Sequence, residues 1–131
     1  MKLGYFIVYV EDLLKTINFY EKAFGLKTKF INQTNQYAEM ENEKGSIVLA
    51  FADEQYVSKH CVSDFRKNKN GTIPAGFEIA FVTQNIDSSL QKALNAGATL
   101  IVKPVQKHWG QTVAYVTDIN GILVELSTPI Q

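Results

Sequence analysis

This chain is poor in the residues that most often announce chemistry. Its single cysteine, Cys61, excludes an internal disulfide framework and suits a reducing compartment. Thirteen basic and thirteen acidic side chains cancel, so no excess of one sign draws the molecule to nucleic acid or an anionic membrane. No apolar run approaches the roughly 18 residues of a membrane span. The opening MKLGYFIVYV reaches Glu11 and Asp12 too soon for a secretory leader, and a cytoplasmic protein with a small-molecule or protein partner is expected. The two histidines are scattered. His60 adjoins Cys61 in a polar stretch that lacks the spacing of a zinc motif, and His108 reads as a surface loop residue.

What the chain does have is a pattern that occurs twice. Residues 5–25, YFIVYVEDLLKTINFYEKAFG, read as an apolar strand, a polar turn, an amphipathic helix and a glycine stop, and residues 77–97, FEIAFVTQNIDSSLQKALNAG, repeat that order. Further on, Gly45-Ser-Ile-Val-Leu49 is answered by Gly121-Ile-Leu-Val-Glu125. Two copies of one supersecondary unit are expected to build one fold. With 131 residues, 46% of them apolar, the chain is long enough for one domain with a filled core.

The first copy places a strand over 3–10 that is apolar enough to be buried on both faces. Asp12 is the N-cap of a helix whose stripe is Leu13, Ile17, Tyr20 and Phe24, and Gly25 ends it. Strands over 27–33, 36–41 and 46–52 complete a βαβββ unit. The second copy has strands over 77–82, 98–103, 111–117 and 122–127, with a helix from Ile86 to Gly97 capped by Asn85 after one extra turn residue. Asn120-Gly121 supplies the positive φ for its last tight turn. The expected organisation is a module over 1–52, a polar connector over 53–75 with a short helix from Val57 to Phe65, and a module over 76–131.

Side chains alternate across a strand, so Tyr5, Ile7 and Tyr9 share one face. Matching Ala114 and Val116 with Ala38 and Met40 as the helix-packed layer leaves Tyr37, Glu39, Val113 and Tyr115 on the opposite, cavity face. The same parity assigns Ile47, Leu49, Phe51, Phe77, Ile79, Phe81, Leu123 and Glu125 to that face and Glu78 to the helix-packed one. An unseen β-bulge would shift it.

The Val10-Glu-Asp-Leu opening, Asn18-Phe-Tyr20, Phe24-Gly25-Leu26, the run WGQTVAYVTD over 109–118, Asn120-Gly121 and Val124-Glu-Leu126 resemble the vicinal oxygen chelate superfamily. That group holds glyoxalase I, extradiol dioxygenases, methylmalonyl-CoA epimerase and the fosfomycin and bleomycin resistance proteins. The resemblance implies an α+β fold in which two βαβββ modules form an open eight-stranded half-barrel around a cleft, helices outermost. It implies a homodimer too, since relatives often pair or exchange units. The scaffold specifies fold better than reaction.

In metal-dependent members each module offers one ligand near the start of its first strand and one in its last, usually His or Gln and then Glu. Those positions map to Tyr5, Leu49, Phe77 and Glu125. A catalytic zinc site generally needs three protein ligands, and only Glu125 is an ordinary one, so no metal or other cofactor is expected unless Glu125 gains unexpected partners. The favoured function is metal-free binding of a small, partly aromatic ligand. Glu125 would orient it, Trp109 would stack on it, and Tyr5, Ile7, Tyr9, Leu49, Phe77, Ile79, Gln111 and Tyr115 would line the site. The alternative is an enzyme, either a metal-dependent glyoxalase-like lyase, isomerase or dioxygenase that recruits Glu39 or Glu78, or a metal-free acid–base catalyst acting through Glu125.

Overall fold

A computed structural model describes residues 1–130. The element order is β1 (Tyr5–Val10), α1 (Leu13–Phe24), β2 (Thr28–Ile31), β3 (Tyr37–Met40), β4 (Val48–Asp53), α2 (Glu54–His60), β5 (Ile79–Val82), α3 (Ile86–Ala96), β6 (Thr99–Gln106), β7 (Thr112–Thr117) and β8 (Leu123–Ser127). The fold is α+β. It contains two four-stranded sheets of like topology, ordered β1-β4-β3-β2 and β5-β8-β7-β6, each with one parallel pair and neither closed into a barrel. Among the described residues no helix is long and apolar enough to cross a membrane.

Both long helices start and stop as their sequence signals dictate. The Asp12 carboxylate accepts from the Lys15 amide and the Asn85 side chain from the Ser88 amide, each satisfying a donor that the first turn leaves unpaired. Gly25 and Gly97 end the helices in the left-handed conformation. The short helix begins earlier than expected. Asp53 caps it at Glu54 and it stops at His60, so Phe65 lies outside it and instead packs edge-on against Tyr9.

Chain compaction divides near the repeat boundary. One unit comprises Met1–Glu21 and Gly25–Asn68, the other Lys22–Phe24 together with the chain from Lys69 onward. In the first, Tyr20 of α1 meets Phe51 of β4 with ring centroids 4.7 Å apart, and Val8, Val10, Ala38 and Met40 are buried with them. In the second, Ile86 and Leu90 of α3 pack on Ala114, Val116, Val124 and Leu126, with Ile79 and Phe81 against that cluster. Burying one such side chain contributes about 1.5–3 kcal/mol. A one-residue slip, which flips every side chain, would expose a whole layer, so the register is firmly held.

That register corrects two expectations. β1 is not buried on both faces: Val8 and Val10 are buried, whereas Tyr5 is 55% and Ile7 45% exposed. Leu49 pairs with Phe6 and Phe51 with Val8, on the layer that meets α1, while Val48, Ala50 and Ala52 share the far face with Tyr5, Ile7 and Tyr9. In the second unit Ile79 and Phe81 likewise register with Val124 and Leu126 in the helix-packed layer, and Ala80 pairs with Glu125. The cavity-face assignments of Leu49, Phe51, Ile79 and Phe81 were therefore one residue out, because a repeat too weak to show cross-strand pairing does not fix parity, while Ile47 and Phe77 precede β4 and β5.

The turn between β7 and β8 has its own lock. Asp118 is buried, and its carboxylate accepts from the amides of Asn120 and Ile122, both at 2.8 Å. Gly121 follows at φ +79°, and a Cβ there would collide with the Lys69 carbonyl oxygen. Gly45 has φ +88° but faces open space. Both alanine substitutions should cost about 1 kcal/mol or more in backbone strain, and Gly121→Ala should lose at least about 1 kcal/mol more than Gly45→Ala because backbone must move. Urea unfolding of the two variants measures that difference, and equal losses would show that the approach of Lys69 is not a constraint.

Candidate functional site

The far face of the second sheet carries the chemistry. Tyr115 on β7 lies directly opposite Glu125 on β8, and Glu125 is in turn the neighbour of Ala80 on β5. Strand alternation puts Glu78, two residues before Ala80, on this face as well. This corrects the expected helix-packed position of Glu78. The Tyr115 hydroxyl hydrogen-bonds to Glu125. Burial holds the Glu125 carboxyl above the usual range, the negative charge of Glu78 adds to that, and the Tyr115 hydrogen bond and the Lys107 ammonium oppose it. Tyr115 is raised by burial first and then by the charges of Glu125 and Glu78. The site is thus a carboxylate pair with a shared phenol and one distant cation.

Gln111 and Trp109 are coupled to each other rather than to Glu125. The Trp109 indole donates to Gln111 Oε1 at 2.8 Å, and Gln111 Nε2 donates to the Thr128 carbonyl at 2.8 Å. Gln111 is thereby spent on holding the hairpin loop, which leaves the Trp109 ring 53% exposed at the end of the sheet. His108 stands edge-on against it at 4.7 Å.

The first sheet bears a different polar group on its far face. The Tyr37 hydroxyl donates to Glu39 Oε2 at 2.8 Å, and Lys29 Nζ lies 3.9 Å from Oε1. Glu39 is buried. Burial, then the hydrogen bond to Glu39 and its charge, push the Tyr37 phenol well above its ordinary value. Tyr5 and Ile7 flank this group on the far face, and Tyr9 is partly covered by Phe65, with its carbonyl accepting from the Asn68 side chain at 2.9 Å. Of the remaining expected lining residues, Leu49 and Ile79 lie in the helix-packed layers, and Phe77 precedes β5 in a turn where its amide donates to the Ala75 carbonyl.

Equivalent positions in the two halves follow from the ladders. Ala38 opposite Phe51 matches Ala114 opposite Leu126, so Ala50 corresponds to Glu125 and, two strands along, Tyr5 corresponds to Glu78. Counting back seven residues from the N-caps Asp12 and Asn85 gives the same pair; that signal was present in the sequence and was missed by matching Val10 to Val82. The corrected quartet is Tyr5, Ala50, Glu78 and Glu125. Tested against the metal of the chelate enzymes, the second unit offers two carboxylates, Glu78 and Glu125, and the first a phenol and a methyl group, Tyr5 and Ala50, so neither unit supplies the three ordinary donors that a catalytic zinc requires. Among the described residues no group of three or more His, Cys, Asp or Glu side chains is placed to hold a metal ion.

Paired βαβββ units of this topology define the vicinal oxygen chelate fold. The chain belongs to the glyoxalase-like domain family, whose model matches residues 3–131, and with it to that superfamily. It is similar to the glyoxalase/bleomycin resistance protein/dioxygenase family enzyme of Burkholderia phytofirmans PsJN, at 18% identity over the whole of both chains with a TM-score of 0.80. It is also similar to a glyoxalase-related enzyme of Fulvimarina pelagi, at 18% identity over 98% of this chain and 88% of that one with a TM-score of 0.82. Among curated proteins it is 24% identical to YraH of Bacillus subtilis (strain 168) over 96% of this chain and 97% of that protein.

A carboxyl whose folded pKa is raised favours the folded state fully below its ordinary value of 4.5, and this contribution is lost as pH rises through the folded value. Glu125 therefore destabilises the fold near neutrality, where it is charged beside Glu78. Glu125→Gln keeps an acceptor for Tyr115 and should melt higher than wild type near neutrality, with the advantage vanishing below pH 4.5. Thermal unfolding across that range measures it, and a variant that melts lower at neutrality contradicts the assignment.

Proposed function

We propose that this protein is a small-molecule-binding member of the glyoxalase/bleomycin-resistance group, and that the far face of its second sheet holds a cationic, partly aromatic ligand without a resident metal. The observation that carries this reading is the placement of Glu125 and Glu78 on one face with Tyr115. Two carboxylates on one face gain most from an organic cation, which relieves their repulsion without demanding the donor number of a metal. Ala80 and Leu123 supply apolar surface on that face. The exposed Trp109 ring at the end of the sheet offers a stacking partner.

A second reading rests on the raised pKa of Glu125. A carboxylate of increased basicity beside a phenol is a competent general base, and Glu125 would then abstract a proton from bound substrate while Tyr115 stabilises the resulting negative charge. Turnover of a keto hemithioacetal, catechol or acyl thioester that Glu125→Gln abolishes without loss of folding would favour this reading over simple binding.

Proflavine, a planar cationic acridine, is a suitable probe. Titration should quench the fluorescence of the single tryptophan, and Glu125→Gln should weaken binding by about tenfold or more, the range of a lost charge-assisted contact. Equilibrium dialysis against zinc, nickel and manganese should find no stoichiometric retention. Tight retention of one of these metals, or proflavine binding indifferent to Glu125→Gln, would overturn the proposal.

A further inference from the structure

The helix-packed side of the second sheet holds a cavity of about 140 Å³ that is separate from the acidic face. Its floor is apolar: Phe24 and Phe81 are stacked with centroids 4.8 Å apart, and Leu126 is buried beneath them. Its other walls are polar, formed by Thr83, Ser89 and the exposed Lys92, and no acidic side chain is among its lining.

The repeat shows that this space is a departure and not a packing accident. The corrected register carries Val10, Thr16, Phe19, Tyr20 and Phe51 of the first half onto Thr83, Ser89, Lys92, Ala93 and Leu126 of the second. The first-half residues are all buried, and their aromatic rings fill the space between helix and sheet. In the second half both helix aromatics are gone, replaced by a lysine and an alanine, and the buried strand valine has become a hydroxyl. A volume is left open and its wall is given hydrogen-bonding groups and a positive charge.

We propose that this cavity binds a small monocarboxylate with an apolar ring or short chain. An apolar cavity of about 150 Å³ accepts a benzene ring, so the volume matches one ring on the Phe24–Phe81 floor. The hydroxyls of Thr83 and Ser89 lie 2.6 Å apart, and either can be the donor. The Thr83 hydroxyl also reaches the Asn85 carbonyl at 3.3 Å; when its proton turns from that longer contact to Ser89, the Ser89 proton is released to point at a carboxylate oxygen, and the Lys92 ammonium supplies the countercharge. The site is remote in chemistry from the acidic face, which would repel the same anion.

Benzoate tests this in the full chain by amide NMR titration. Saturable shifts centred on Thr83, Ser89 and Lys92 at millimolar benzoate are expected, with the amides of Glu78 and Lys107 on the acidic side unmoved. Lys92→Ala, at an exposed position, should weaken binding about fivefold, the upper range for a surface charge contact. Ser89→Leu should occupy the cavity and abolish the shifts. Neutral benzyl alcohol should bind more weakly than benzoate. Absence of shifts at these amides, benzyl alcohol binding as well as benzoate, or benzoate binding unchanged in both variants would overturn the assignment.

Discussion

Everything functional in this molecule depends on the parallel pairing of the first and last strand of each half. Val8 against Phe51 and Phe81 against Leu126 decide which side chains enter the helix-packed layer, and by alternation they decide what is left for the other face. The apolar layer makes the choice energetically, because turning Phe51, Val8 and Val10 outward would forfeit several kcal/mol. Glu78 and Glu125 are placed together as its consequence. A costly pair of like charges on one face is sustained by a hydrophobic layer on the other.

The two halves keep the same caps, strand order and parity but differ in what they do with them. In the first, Glu39 is buried with Tyr37 and Lys29 around it and the helix layer is filled with aromatic rings. In the second, Tyr115, which takes the place of Glu39, faces Glu125, a second carboxylate stands at Glu78, and the helix layer is partly emptied. On its polar face the first sheet satisfies Glu39 with its own groups, although Glu54 at the start of α2 keeps one buried carboxylate oxygen without a hydrogen-bond partner. Frustration, in the form of repelling carboxylates and unfilled volume, is concentrated in the second, where local rules are broken in the way that functional sites break them.

Much of this was legible in the sequence. The helices Leu13–Phe24 and Ile86–Ala96 follow from Asp12, Asn85, Gly25 and Gly97 and an apolar stripe, and the family follows from motifs spread along nearly the whole chain. Glu125, Tyr115 and the far-face placement of Tyr5, Ile7 and Glu39 were read from alternation alone. Parity failed where a strand was linked to the rest only by the repeat. Aligning Val10 with Val82 invented an extra turn residue, whereas Thr83, whose amide donates to the Ser127 carbonyl, continues the ladder in Val10's place. That shift hid Glu78, misplaced Ile79 and concealed the replacement of Phe19 by Lys92, while matching Gly45–Leu49 with Gly121–Glu125 separately misplaced Leu49. Burial of Glu39 was equally out of reach, because Lys29 becomes its neighbour only through pairing of β2 with β3.

The acidic face is defined by electrostatic coupling between Glu78 and Glu125, and a direct titration reads it. The side-chain carboxyl carbon of Glu125, followed by NMR against pH, should show a midpoint above 4.5 that moves down in Glu78→Gln while staying raised, since burial is the larger cause. A midpoint at the ordinary value, or one that Glu78→Gln leaves unmoved, would contradict the shared acidic site.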